Sequence, residues 1–120
     1  IVAGAVCYFA VALKNKLGWD DALDVWGVHG VGGMIGIILL GVFGTVAVNA
    51  NGANGLLYGD SSFFIKQLLT VIISSIYAFA FTWIMLFVID KITPVKLTKK
   101  EEEIGLDEIL HGETAYTDAI

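Results

Sequence analysis

Apolar residues run along this chain in long blocks, without the polar return every third or fourth position that marks the outer face of a helix on a soluble domain. From Val25 to Val48 there are 24 residues with no Asp, Glu, Lys or Arg, and from Leu68 to Ile89 another 22. About 20 apolar residues in helical form cross the hydrocarbon of a bilayer. Each block therefore predicts a full span. A shorter apolar run, Ile1 to Leu13, passes straight into Lys14, Asn15 and Lys16, without the basic lead and small-residue cleavage site of a signal peptide. It reads as the end of a helix whose beginning is missing.

The pattern predicts an all-α membrane protein. A transmembrane segment covers residues 1–90, with a partial helix at 1–13 and spans at 25–48 and 64–90, and a cytosolic tail covers 91–120. Between the spans, Asn49, Asn51, Gly52, Asn54, Gly55 and Gly59 are turn formers, and Asp60 is the single charge in the link. Lysine sets the orientation, because basic residues flanking spans stay in the cytoplasm. Lys14 and Lys16 precede the first full span, and Lys91, Lys96, Lys99 and Lys100 follow the second. Both clusters belong inside, which makes this a multi-pass cell-membrane protein with a cytoplasmic C-terminus.

In the tail, Pro94 should stop the last long helix, and Thr98 with Glu101 has capping-box spacing. Gly105 should end the short helix so begun. Asp107 should cap a second turn that Gly112 closes, with Ile104, Leu106, Ile109, Leu110 and Tyr116 as apolar contacts. So short a tail has no core of its own and needs a surface to dock on.

Composition narrows the function. Seven lysines, no arginine and twelve acidic residues give a net charge of -5, which leaves no cationic surface for nucleic acid. Mean hydropathy is +0.78 and 57% of residues are hydrophobic, as a membrane protein requires. Cys7 is alone, so it forms no internal disulfide and seeds no cysteine metal site. No cofactor and no metal are expected, and no catalytic triad, phosphate loop or paired carboxylate within the spans points to an enzyme.

His29 is the one titratable side chain in the first full span, and an ionisable group at membrane depth normally faces a protein interior or a water-filled path. Gly27, Gly30, Gly32, Gly33 and Gly36 strip side chains from the same helix and permit close packing. On 3.6-residue geometry Val25, His29, Gly32 and Gly36 share a face. Asp20, Asp21 and Asp24 spell D-D-x-x-D, a diphosphate-binding spacing in some isoprenoid enzymes, but no second acidic cluster accompanies it. Carboxylates that cap a helix start at the cytoplasmic mouth, Asp21 and Asp24, are the simpler reading. His111-Gly112-Glu113 lacks the second histidine of a zinc protease.

The string Asp24-Val25-Trp26-Gly27-Val28-His29-Gly30-Val31-Gly32-Gly33, followed by Gly55-Leu56-Leu57-Tyr58-Gly59, Gly105-Leu106-Asp107, His111-Gly112-Glu113 and Ala115-Tyr116, resembles the ammonium transporter family. The resemblance runs in order along essentially the whole chain. It implies an eleven-helix fold of which this chain is the end of helix 9, helices 10 and 11, and the tail. It implies that His29 is the second of two histidines in a narrow hydrophobic pore for ammonium or ammonia, with Val25 lining the pore one turn toward the cytoplasm. It further implies a homotrimer, a regulatory tail built on Gly105, Asp107, His111, Gly112, Glu113 and Tyr116, and a PII-type signalling protein as a cytosolic partner. Ile109 stands where the family often has Thr or Ser, so a phosphorylation switch is not expected there. The alternative from the residues alone is a small membrane interaction module that does not conduct.

Overall fold

The computed structural model describes residues 1–114, and among these every regular element is helical. Tyr116, assigned to the tail motif above, lies outside the described residues. The chain forms two compact units, Ile1–Tyr77 and Ala78 onward, with the boundary inside a long helix.

In the first unit, helix α1 spans Val2–Leu17 and so continues past the expected residue 13. Lys14 and Lys16 do not stop it, because basic side chains suit the negative end of a helix dipole. Gly18 does stop it, at φ 67°, with its N–H donating to the Asn15 carbonyl while the Trp19 N–H donates to the Lys14 carbonyl.

The next helix begins with a π-helical segment, Trp26–Val31, and continues as α2, Gly32–Phe43. It ends five residues short of Val48. Gly44 turns the chain out at ψ 140°, and the Asn-rich link folds back so that the Gly55 N–H donates to the Gly44 carbonyl at 2.7 Å. A Cβ on Gly55 would stand 2.6 Å from the Gly41 carbonyl oxygen, so the close return of this loop depends on glycine. Asn54 pins the fold-back by accepting a hydrogen bond from the Val46 N–H at 3.1 Å.

After a short 3-10 turn at Leu56–Tyr58, helix α3 runs over Ser61–Asp90, starting three residues before the expected 64. The Asp60 carboxylate sets that start by accepting from the Phe63 N–H at 3.0 Å. Trp26–Phe43 and Ser61–Asp90 are both long and apolar enough to cross a membrane. Among the described residues, Ala10 and Val71 are the buried hydrophobics, while Phe79, Phe81, Trp83 and Ile84 in α3 are all more than half exposed. Such surface suits lipid or further protein and not water.

In the second unit, the rest of α3 is followed by α4, Lys99–Ile104, whose N-terminus carries a complete capping box between Thr98 and Glu101. The Glu101 carboxylate accepts from the Thr98 N–H at 2.7 Å and lies below the usual carboxylate range, mainly through the Thr98 hydroxyl and then this N–H. Gly105 ends α4 at φ 103°, and a π-type turn at Asp107–His111 is closed by Gly112 at φ 65°. This turn differs from expectation at its start: Leu106 precedes it, no side chain caps it, and Asp107 instead offers its carbonyl to the Glu113 N–H at 3.2 Å.

Candidate functional site

Helix α1 and the π segment run antiparallel and touch at three levels. Nearest the loop, the Lys14 ammonium meets the Asp24 carboxylate at 2.6 Å. Higher up, Gly27 faces Val11, and its missing Cβ would stand 2.7 Å from Val11 Cγ2. Above that, Cys7 lies 3.0 Å from where a Cβ on Gly32 would sit, and its thiol points to the Val28 carbonyl at 3.8 Å.

The π geometry explains how Gly27 and Gly32 share a face. With i to i+5 hydrogen bonding, residues five apart become neighbours along the helix, whereas 3.6 residues per turn would set them well apart around it. This takes Gly32 off the face expected above, which it was to share with Val25, His29 and Gly36. Gly32 turns toward α1, while His29, two residues past the α1-facing Gly27, is exposed, and Val25 is half exposed. Both lie on surface that α1 leaves uncovered. Gly33 and Gly36 have open space where a Cβ would project, with no neighbour within 4 Å, and Gly30 meets only Trp26 at 3.8 Å. Of the five glycines, then, only Gly27 and Gly32 bring helices together among the described residues.

The two aspartates divide the work assigned to both. Asp21 is the cap: its carboxylate oxygens accept from the N–H groups of Val25 and Trp26, each at 2.9 Å. Its pKa lies below the ordinary carboxylate value, chiefly because of the Trp26 N–H, with desolvation opposing and the Val25 N–H and the Lys14 charge adding to the effect. Asp24 does not cap with its side chain. It adopts φ 55°, a left-handed conformation unusual outside glycine, and turns its carboxylate to Lys14. Trp19 and Trp26 close the loop with an edge-to-face contact, ring centroids 5.1 Å apart. Among the described residues no group of His, Cys, Asp and Glu could hold a metal. A cleft of about 800 Å³ lies toward the other end of the span, among Gly36, Phe43, Asn49 and Phe63, and does not include His29.

The family model of the Ammonium Transporter Family matches residues 1–116. The chain belongs to that family. It is 43% identical over 121 residues to an ammonium transporter of Bacillus subtilis, covering all of this chain and 30% of that protein. It is 46% identical over 117 residues to ammonium transporter 1 of Dictyostelium discoideum, covering 97% of this chain and 25% of that one. A third relative, an ammonium transporter of Aquifex aeolicus, is 43% identical over 116 residues, 96% of this chain and 27% of its own length. The chain thus spans between a quarter and three tenths of these curated relatives. Membrane embedding, a family trait, agrees with the two long apolar helices.

The residues Gly105, Asp107, His111, Gly112 and Glu113 lie close in sequence around one turn. Asp107, His111 and Glu113 line a small recess together with Thr114. Sequence reasoning missed Lys14, taken only as a topology marker, although it is 5% exposed and holds the loop. The signal was present: a lysine in the last turn of one helix and an aspartate opening the next. It also missed Gly41, whose absent Cβ would come within 3.1 Å of Gln67 Cβ and 3.2 Å of Phe64, and which brings α2 against the start of α3.

Proposed function

We propose that this chain forms the C-terminal spans and cytosolic tail of a transporter that moves ammonium or ammonia across the cell membrane, and that His29 and Val25 line its path. The observation that carries this reading is His29 itself. It is the single titratable side chain in a 24-residue charge-free run, it sits in a π-helical segment, and it is exposed where α1 leaves the helix uncovered. Single π turns recur at functional positions, and an uncovered imidazole at membrane depth calls for a polar path or partner.

The chemistry suits the substrate. A bare cation is costly in an apolar channel. An imidazole nitrogen compensates ammonium by accepting one of its N–H bonds, and takes up its proton when the nitrogen passes as ammonia. Potassium has no proton to give, so selection becomes chemical as well as steric. A second histidine from another part of the transporter would continue the path.

In this reading α1 is the end of helix 9, the Trp26–Phe43 helix is helix 10 and α3 is helix 11 of an eleven-helix fold. The lysine-flanked ends and the tail face the cytoplasm, and the assembly is a homotrimer. The tail, with Ile104, Leu106 and Leu110 about half exposed, docks on the cytosolic face, where a PII-type protein would act. The test is His29→Ala in the full-length transporter. We expect loss of selective methylammonium uptake at unchanged expression and assembly. Wild-type uptake together with wild-type rejection of potassium would refute the pore role.

A further inference from the structure

We propose that Lys14 and Asp24 are positioning residues for His29: an ion pair between α1 and the start of the π segment that sets how the imidazole is presented. The proposal rests on the pore reading of His29.

Lys14 is 5% exposed, although it belongs to the last turn of α1. A buried ammonium is stable only when its charge is paired and its donors are used. Both conditions are met by the loop that follows. Nζ donates to the Asp24 carboxylate and to the Asp21 main-chain carbonyl, each at 2.6 Å. One cation therefore holds two points of the connection between the helices.

Those two points are the ones that start the π segment. The Asp21 carboxylate takes up the free N–H groups of Val25 and Trp26. The Asp24 carbonyl accepts from the N–H of Val28, the residue next to His29, at 2.9 Å. The polar contacts thus run from Lys14 through Asp24 to the backbone beside the imidazole without a gap. Other contacts between α1 and this helix, Val11 with Gly27 and Cys7 with Gly32 among them, are apolar packing or a weak thiol contact. Packing of that kind fixes separation, whereas a directed ion pair also fixes register and rotation.

Asp24 carries a further mark of a set position. It sits at φ 55°, a region that few residues besides glycine, asparagine and aspartate enter, with its carboxylate facing Lys14. Released from Lys14, the residue is free to leave the left-handed region, and the Val28 contact moves with it. Asparagine tolerates that region better than most residues with a side chain, so Asp24→Asn removes the charge while sparing the backbone.

The experiment uses the full-length transporter reconstituted in liposomes, with Lys14→Met, Asp24→Asn, the double variant and His29→Ala side by side. Ammonium-over-potassium discrimination and thermal stability are both read. Each single variant should lose about ten-fold in discrimination, and Asp24→Asn should also melt lower, since it leaves the buried Lys14 ammonium without its counter-charge, whereas Lys14→Met leaves only a carboxylate that is 38% exposed. The double variant should recover stability, having no unpaired charge, but not discrimination, and its Val28 and His29 amides should exchange faster than in the wild type. That split separates positioning from plain structural support. Recovery of both properties in the double variant, or wild-type discrimination in the single variants while His29→Ala has lost it, would overturn the positioning role alone. Unchanged discrimination in His29→Ala would remove the pore reading and this proposal with it.

Discussion

Gly27 packs against Val11 so closely that a Cβ would lie 2.7 Å from Val11 Cγ2 and 3.1 Å from the Val11 backbone nitrogen. The side chain could turn aside, but the backbone of α1 could not. Gly27→Ala should therefore push the helices apart and destabilise the assembled transporter by about 1–3 kcal/mol. Gly30→Ala, where the nearest atom stands at 3.8 Å, is the matched control and should melt like the wild type. Equal thermal unfolding of the two variants in detergent would count against the contact.

The Asp21 cap makes an acid-dependent expectation. Its pKa is lowered in the folded chain, first by the Trp26 N–H, so its contribution is complete above the ordinary carboxylate value and is lost as pH falls through the depressed one. The Val25 and Trp26 amide proton shifts should hold steady until the pH has fallen below the ordinary carboxylate value and then move together as the carboxylate protonates. Asp21→Asn should abolish that movement. Shifts that titrate identically in the variant would show that another group is responsible.

Topology can be tested from the loop between the two spans. Asn54 is engaged with the Val46 N–H, so replacing it would disturb the fold-back, whereas Asn51 is exposed. In a Cys7→Ser background, an impermeant thiol reagent should label a cysteine at Asn51 from outside intact cells. One at Lys99 should react only after permeabilisation. The reverse pattern would invert the orientation.

Gly105 has φ 103° and ψ 145°, a region that residues with a Cβ rarely enter. Nothing lies within 4 Å of the place a Cβ would occupy, so the constraint is the backbone and not space. Gly105→Asp should redirect the chain after α4 and lower transport even with His29 intact, by an amount similar to Gly105→Ala. Retention of wild-type uptake by both variants would show that the tail's path does not matter for transport.

Much of the architecture was legible because lipid imposes one simple demand, a long apolar run, and lysine marks its ends. Helix boundaries were less so. The charge pattern ends α1 at Leu13, yet lysines continue a helix and only Gly18 breaks it; the absence of charge carries the next span to Val48, yet Gly44 ends it earlier. The site was legible in its residue types but not in its geometry. His29 stands out in any reading of the composition. Which glycines face α1 depends on a π segment that no periodicity reveals, because a 3.6-residue projection already assumes the answer. Asp21 and Asp24 are alike on paper, and they part because one finds free amides and the other a buried ammonium.

The three levels at which α1 meets the next helix join residues only 10 to 25 positions apart in sequence. Contacts that local need little loop closure, and they form early. Once the two segments lie in the bilayer, this hairpin has all it needs to zip, from Lys14 and Asp24 at its closed end toward Cys7 and Gly32. The element that carries His29 would then be shaped locally during biogenesis, before its exposed face packs against the rest of the transporter.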